Sequence, residues 1–119
     1  MPKVKNDDFL FGKPAGLSME KGTGTDSSQA VTIQARAGKI TSSTTNLGAS
    51  TTEDITLTCK YAKASSIVLV MMGGGGTGDI AISKVTPAAG SVVFTAINTD
   101  PANACNALYT IDYVIINPV

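Results

Sequence analysis

Polar and apolar positions alternate along most of this chain from residue 31 onward. Alternation with period two marks strands that bury one face. Residues 31–35, Val-Thr-Ile-Gln-Ala, alternate cleanly, and residues 38–42 make a shorter segment of the same kind. Residues 54–61 put Ile55, Leu57, Cys59 and Tyr61 on one side. Residues 66–72, Ser-Ile-Val-Leu-Val-Met-Met, are almost continuously apolar. Such a run predicts a strand buried on both faces or lying at the centre of a sandwich. Residues 79–86 predict a strand that stops at Pro87, residues 88–90 a turn, and residues 91–97 its return. Residues 108–116 close the pattern with Tyr109, Ile111, Tyr113 and Ile115 on one face. Asp112 is the only charge in that last strand, so at an edge it would need a partner. No segment carries a helical period, beyond one possible turn at residues 100–104. The expected fold is all-β: a small antiparallel β-sandwich or jelly roll of roughly seven short strands.

Residues 1–30 have no such pattern and predict an extended N-terminal arm, leaving residues 31–119 as the β-sandwich domain. The arm contains Pro2, Pro14, Gly12, Gly16, Gly22 and Gly24, and residues 21–28, Lys-Gly-Thr-Gly-Thr-Asp-Ser-Ser, read as linker. Two apolar patches interrupt it: Phe9, Leu10 and Phe11, then Leu17 and Met19. Phe9 and Phe11 share one side of an extended segment, which suits an anchor lying in a groove. The alternative is that they pack back on their own domain. A polar arm of this kind is expected to order on binding.

Composition narrows the class. The 119 residues suffice for one domain. Charged residues make up 15%, well below the roughly 25% of soluble domains. A surface of Thr, Ser, Asn and Gly suits packed, immobile surroundings, or simply a stable extracellular type of β-protein. Nine basic and nine acidic residues cancel, so there is no electrostatic footprint for nucleic acid. The first residues lack the apolar stretch of a secretory signal. The longest apolar run, residues 67–72, is six residues and too short to cross a bilayer. Synthesis in a cytosol, with use there or export by cell lysis, and no membrane partner are expected. Cys59 and Cys105 read as free core thiols, with a single bridge between them as the alternative.

Candidate chemistry is sparse. Residues 73–78, Gly-Gly-Gly-Gly-Thr-Gly, match G-x-G-x-x-G, with Asp100 downstream. The dinucleotide fingerprint works because its last glycine opens a helix facing the pyrophosphate. Here a strand follows, so the run predicts a hairpin loop whose glycines allow positive φ or close approach of a neighbour. Residues 50–53 match a capping box, but the period-two pattern behind them excludes a helix. The chain has no His, which removes the commonest acid–base group and zinc ligand. The pairs Asp7/Asp8 and Glu53/Asp54 are sequence neighbours and point apart in a strand. Asn98, Asp100, Asn103 and Asn106 suit turn capping better than a cation site. Tyr61, Tyr109 and Tyr113 suggest core packing with rim hydroxyls, or else a sugar-stacking surface. No catalytic, cofactor or metal site is expected.

Several phrases together resemble a recurrent β-module of tailed-bacteriophage structural proteins. They are Gly38-Lys-Ile-Thr-Ser, Thr56-Leu-Thr, Ala64-Ser-Ser-Ile-Val-Leu-Val with its glycine-rich loop, Val85-Thr-Pro-Ala-Ala-Gly-Ser-Val-Val-Phe-Thr, the loop at residues 98–106, and Leu108-Tyr-Thr-Ile-Asp-Tyr-Val-Ile. The resemblance spans about residues 38–116 and leaves out the arm. It implies a virion component and brings no site motif with it. The expected function is that of a head decoration or cement protein on the outer capsid surface. Its partner would be the major capsid protein, and its assembly a homo-oligomer, as a trimer at three-fold positions. Phe9, Leu10, Phe11, Leu17 and Met19 would be the capsid-anchoring residues. The alternative is a receptor- or glycan-binding module of a fibre, knob or head appendage, with the loops at residues 73–78 and 98–106 as its surface.

Overall fold

A computed structural model describes residues 20–118. They form eight strands: β1 (Lys21–Thr25), β2 (Ala30–Thr32), β3 (Ala37–Thr41), β4 (Thr52–Thr58), β5 (Ile67–Gly74), β6 (Ile80–Ala88), β7 (Ser91–Asn98) and β8 (Tyr109–Ile116). The strands make two four-stranded sheets, β1-β3-β8-β5 and β2-β4-β7-β6, packed as a sandwich. Both sheets are mixed. β1 runs parallel to β3 and β2 parallel to β4, while the remaining pairs are antiparallel. The parallel pairs arise because the chain makes the same crossing twice. β1 leads into β2 on the opposite sheet, and β3 then leads into β4 alongside them.

The core follows the period-two pattern. Ile40, Ile55, Leu57, Val92, Phe94, Ala96, Tyr109 and Ile111 are fully enclosed between the sheets. The Phe94 and Tyr113 rings lie 6.2 Å apart at a tilt of 42°. Each large side chain so enclosed contributes about 1.5–3 kcal/mol of burial. Leu47, in the loop before β4, is buried, and its N–H donates to Cys105 Sγ at 3.1 Å. Cys59 and Cys105 are both buried free thiols.

Four local expectations are corrected. Residues 21–25, read as linker, are strand β1. A Cβ on Gly22 would collide with Ile33 Cγ2, and one on Gly24 would stand 2.7 Å from Val31 Cγ2. Glycine is therefore the residue that lets β1 close over the opposite sheet, a use that composition cannot tell from a linker. Residues 67–74 form β5, which is an edge strand and not a doubly buried one. Val68, Val70 and Met72 pack against the core, while Ile67, Leu69 and Met71 face outward. The glycine-rich run does not close a hairpin, for it carries the chain from β5 to β6 in the other sheet. Strand β6 continues through Pro87 to Ala88, which an edge position permits because proline has no N–H to pair there. The last strand, β8, lies inside its sheet between β3 and β5.

Candidate functional site

Among the described residues, the outward face of the β1-β3-β8-β5 sheet gathers most of the exposed large apolar side chains. Alternation along β8 sends Tyr109, Ile111, Tyr113 and Ile115 inward, and so turns Thr110, Asp112, Val114 and Ile116 outward. The β5 register then sets Met71 beside Asp112, Leu69 beside Val114, and Ile67 beside Ile116. The result is an apolar stripe along one edge. Ile67 is 51% exposed, Leu69 55%, Met71 66% and Ile116 41%. A shallow groove of about 260 Å³ runs beside it, lined by Lys21, Ala37, Leu69, Met71, Asp112 and Val114.

A charged band borders the stripe. Lys39 Nζ donates to Asp112 Oδ2 at 3.2 Å. Lys21 Nζ stands 3.3 Å from Oδ1 as an ion pair without hydrogen-bond alignment. Desolvation on the sheet opposes the Asp112 charge, but the two ammonium groups outweigh it and hold the carboxyl below the usual range. With two cations around one carboxylate, the band carries an excess of positive charge. Its pairs are partly exposed and worth little in isolation.

The two loops expected as an alternative binding surface lie together and are occupied with each other. Thr77 N–H donates to Asn106 Oδ1 at 2.9 Å, and Thr77 Oγ1 to the Ala104 carbonyl at 2.9 Å. Gly74, Gly75 and Gly76 hold φ of 81°, 96° and 64°. A Cβ on Gly78 would meet Cys105 Cα at 2.8 Å. Positive φ and close approach are thus both met in this run. Asn98 is fully buried and caps the turns around it. Its Nδ2 donates to the Leu47 and Asn103 carbonyls at 3.1 and 2.9 Å, and its Oδ1 accepts from Asp79 and Asp100 N–H, each at 3.1 Å. Asp100 Oδ1 accepts from Ala102 and Asn103 N–H at 2.8 and 2.9 Å, which lowers its pKa. Turn capping therefore describes these residues.

The tyrosines divide. Tyr109 and Tyr113 are core residues, with hydroxyls donating to Glu53 and to the Ala35 carbonyl. Burial pushes both hydroxyls well above the usual phenol range, aided by Glu53 at Tyr109. Their faces are not available to a sugar. Tyr61 is half-buried with the Arg36 guanidinium 4.4 Å above its ring. Among the described residues no three thiol or carboxylate side chains gather as a metal site. The proposed anchors Phe9, Leu10, Phe11, Leu17 and Met19 lie outside the described residues.

The exposed stripe was not predicted. Period-two reading finds a surface by contrast between faces, and in residues 67–72 both faces are apolar. Comparisons with protein-family models, with curated proteins and with solved structures find no match.

Proposed function

We propose that this chain is a structural assembly protein, specifically a bacteriophage capsid decoration protein that attaches to the outer head surface and ties capsid subunits together. The observation that carries this is the apolar stripe of Ile67, Leu69, Met71 and Ile116 on an otherwise neutral, charge-poor sandwich. Contiguous exposed apolar surface rimmed by polar groups marks interaction sites. The resemblance of residues 38–116 to phage structural modules supports the virion assignment. The apolar residues Phe9, Leu10, Phe11, Leu17 and Met19 supply further anchors of the same chemistry. The mechanism is additive burial: each anchor contributes about 1.5–3 kcal/mol when desolvated, repeated at every equivalent site on the shell. The major capsid protein is the partner.

Antibody-gold labelling of intact particles, with an antibody raised against the folded protein, tests the assignment. Gold spread over the heads is the expected result. Gold confined to a tail tip or one vertex assigns the chain to receptor binding instead. Unlabelled particles remove it from the virion.

A further inference from the structure

We propose that β5 pairs with β5 of a second copy, antiparallel about a two-fold axis near Val70, joining two β1-β3-β8-β5 sheets into one eight-stranded sheet. The proposal does not depend on the virion assignment.

Among the described residues, the outer edge of β5 is a row of unpaired backbone groups of defined direction. Gly75 N–H donates to the Leu108 carbonyl at 3.0 Å. In the β5–β8 register this pair continues as Gly73 with Thr110, Met71 with Asp112, Leu69 with Val114 and Ile67 with Ile116. Those residues bond toward β8. The alternate residues, Val68, Val70 and Met72, therefore turn their N–H and C=O away from β8. Among the described residues no strand meets them there.

The other three edges each carry a device that discourages pairing. β2 spans three residues. β1 spans five and begins at Lys21. β6 carries Lys84, Pro87 and a register shift between Ile82 and Lys84. Such features are how sheets protect an edge. β5 has eight residues with no charge, no proline and no bulge.

Charge and register select a second copy as the occupant. The chain has net charge +0, so two copies meet without repulsion, and the Asp112 band lies off the seam, inside the sheet. Pairing about Val70 matches outward-directed backbone with outward-directed backbone: Val68 with Met72 of the second copy, and Val70 with its own counterpart. Leu69 and Met71 then alternate across the outer face and form one apolar cluster with Ile67. β5 itself brings no charged side chain to the seam. A two-fold joint of this kind yields a dimer in place of the trimer expected from sequence.

The test is the solution mass of the full chain and of three variants by light scattering. The wild type is expected at twice its 12.1 kDa. Met71→Lys and Leu69→Lys alter exposed side chains, and each is expected to be monomeric with an unchanged circular dichroism spectrum. Mixing Leu69→Lys with Met71→Glu is expected to restore a dimer, because those positions oppose each other across the seam. A monomeric or trimeric wild type overturns the proposal. So does a Met71→Lys protein that stays dimeric, or a Lys/Glu mixture that stays monomeric. A monomer in which residues Phe9–Leu10–Phe11 cover β5 also overturns it, and amide exchange on the full chain distinguishes that outcome.

Discussion

At the scale of single residues, the interior is fixed by a few positions whose neighbours leave no alternative. Gly22 is one. A methyl group there meets the stiff, β-branched Ile33 across the sandwich. Gly22→Ala is expected to destabilise by about 1–3 kcal/mol, and combining it with Ile33→Ala should cost less than the two losses added. Gly90 provides the contrast. A Cβ there meets nothing within 4 Å, so Gly90→Ala loses only what its φ of 84° imposes, about 1–2 kcal/mol, and shows no coupling to Ile33. Urea denaturation of the single and double variants measures both. Tyr109 and Tyr113 set a limit of another kind. Burial raises the folded pKa of each hydroxyl, whereas in the unfolded chain tyrosine ionises near ~10. Their contribution is therefore complete below that pH and is lost as pH rises above it. Alkaline titration followed at 295 nm and by circular dichroism should show these two ionising together with unfolding, not before it.

At the scale of elements, what was legible depended on contrast between faces. β4, β7 and β8 alternate apolar with polar, and their buried sets, from Ile55 to Ile115, were readable from periodicity. β1 was hidden because its inward residues are Gly22 and Gly24, where close packing has removed the side chain that would announce it. β5 was visible as a strand but misplaced, since Val68 and Leu69 give the same apolar signal from opposite faces. No local pattern shows that a strand from the middle of the chain lies at the edge of its sheet, because strand order is settled by the crossings between sheets. The free edge of β5 carries its own prediction. In the monomeric Met71→Lys protein, the amides of Val68, Val70 and Met72 face solvent, while those of Leu69 and the substituted position 71 bond to β8. Exchange measured by NMR should alternate accordingly, fast at the even-numbered positions. In the wild-type dimer that alternation should disappear.

At the scale of the whole molecule, the sandwich extends further toward the N-terminus than composition suggested, and this decides how the chain can be cut. All eight strands lie at or after Lys21. Removing residues 1–19 leaves every one of them intact, so the shortened protein is expected to melt within a few degrees of the full chain. Removing residues 1–30 deletes β1 and the first residue of β2. The β3 edge then loses its parallel partner, and Val31 and Ile33 lose the glycine strand that covers them. Exposing two such side chains costs at least about 2 kcal/mol, which in a domain of this size lowers Tm by about 8–16 °C. A calorimetric comparison of the two truncations checks the boundary directly. The same pair separates folding from attachment. If Phe9, Leu10, Phe11, Leu17 and Met19 anchor the protein to a capsid, the form lacking residues 1–19 stays folded yet binds particles more weakly. Equal binding with and without those residues would assign attachment to the exposed sheet face alone.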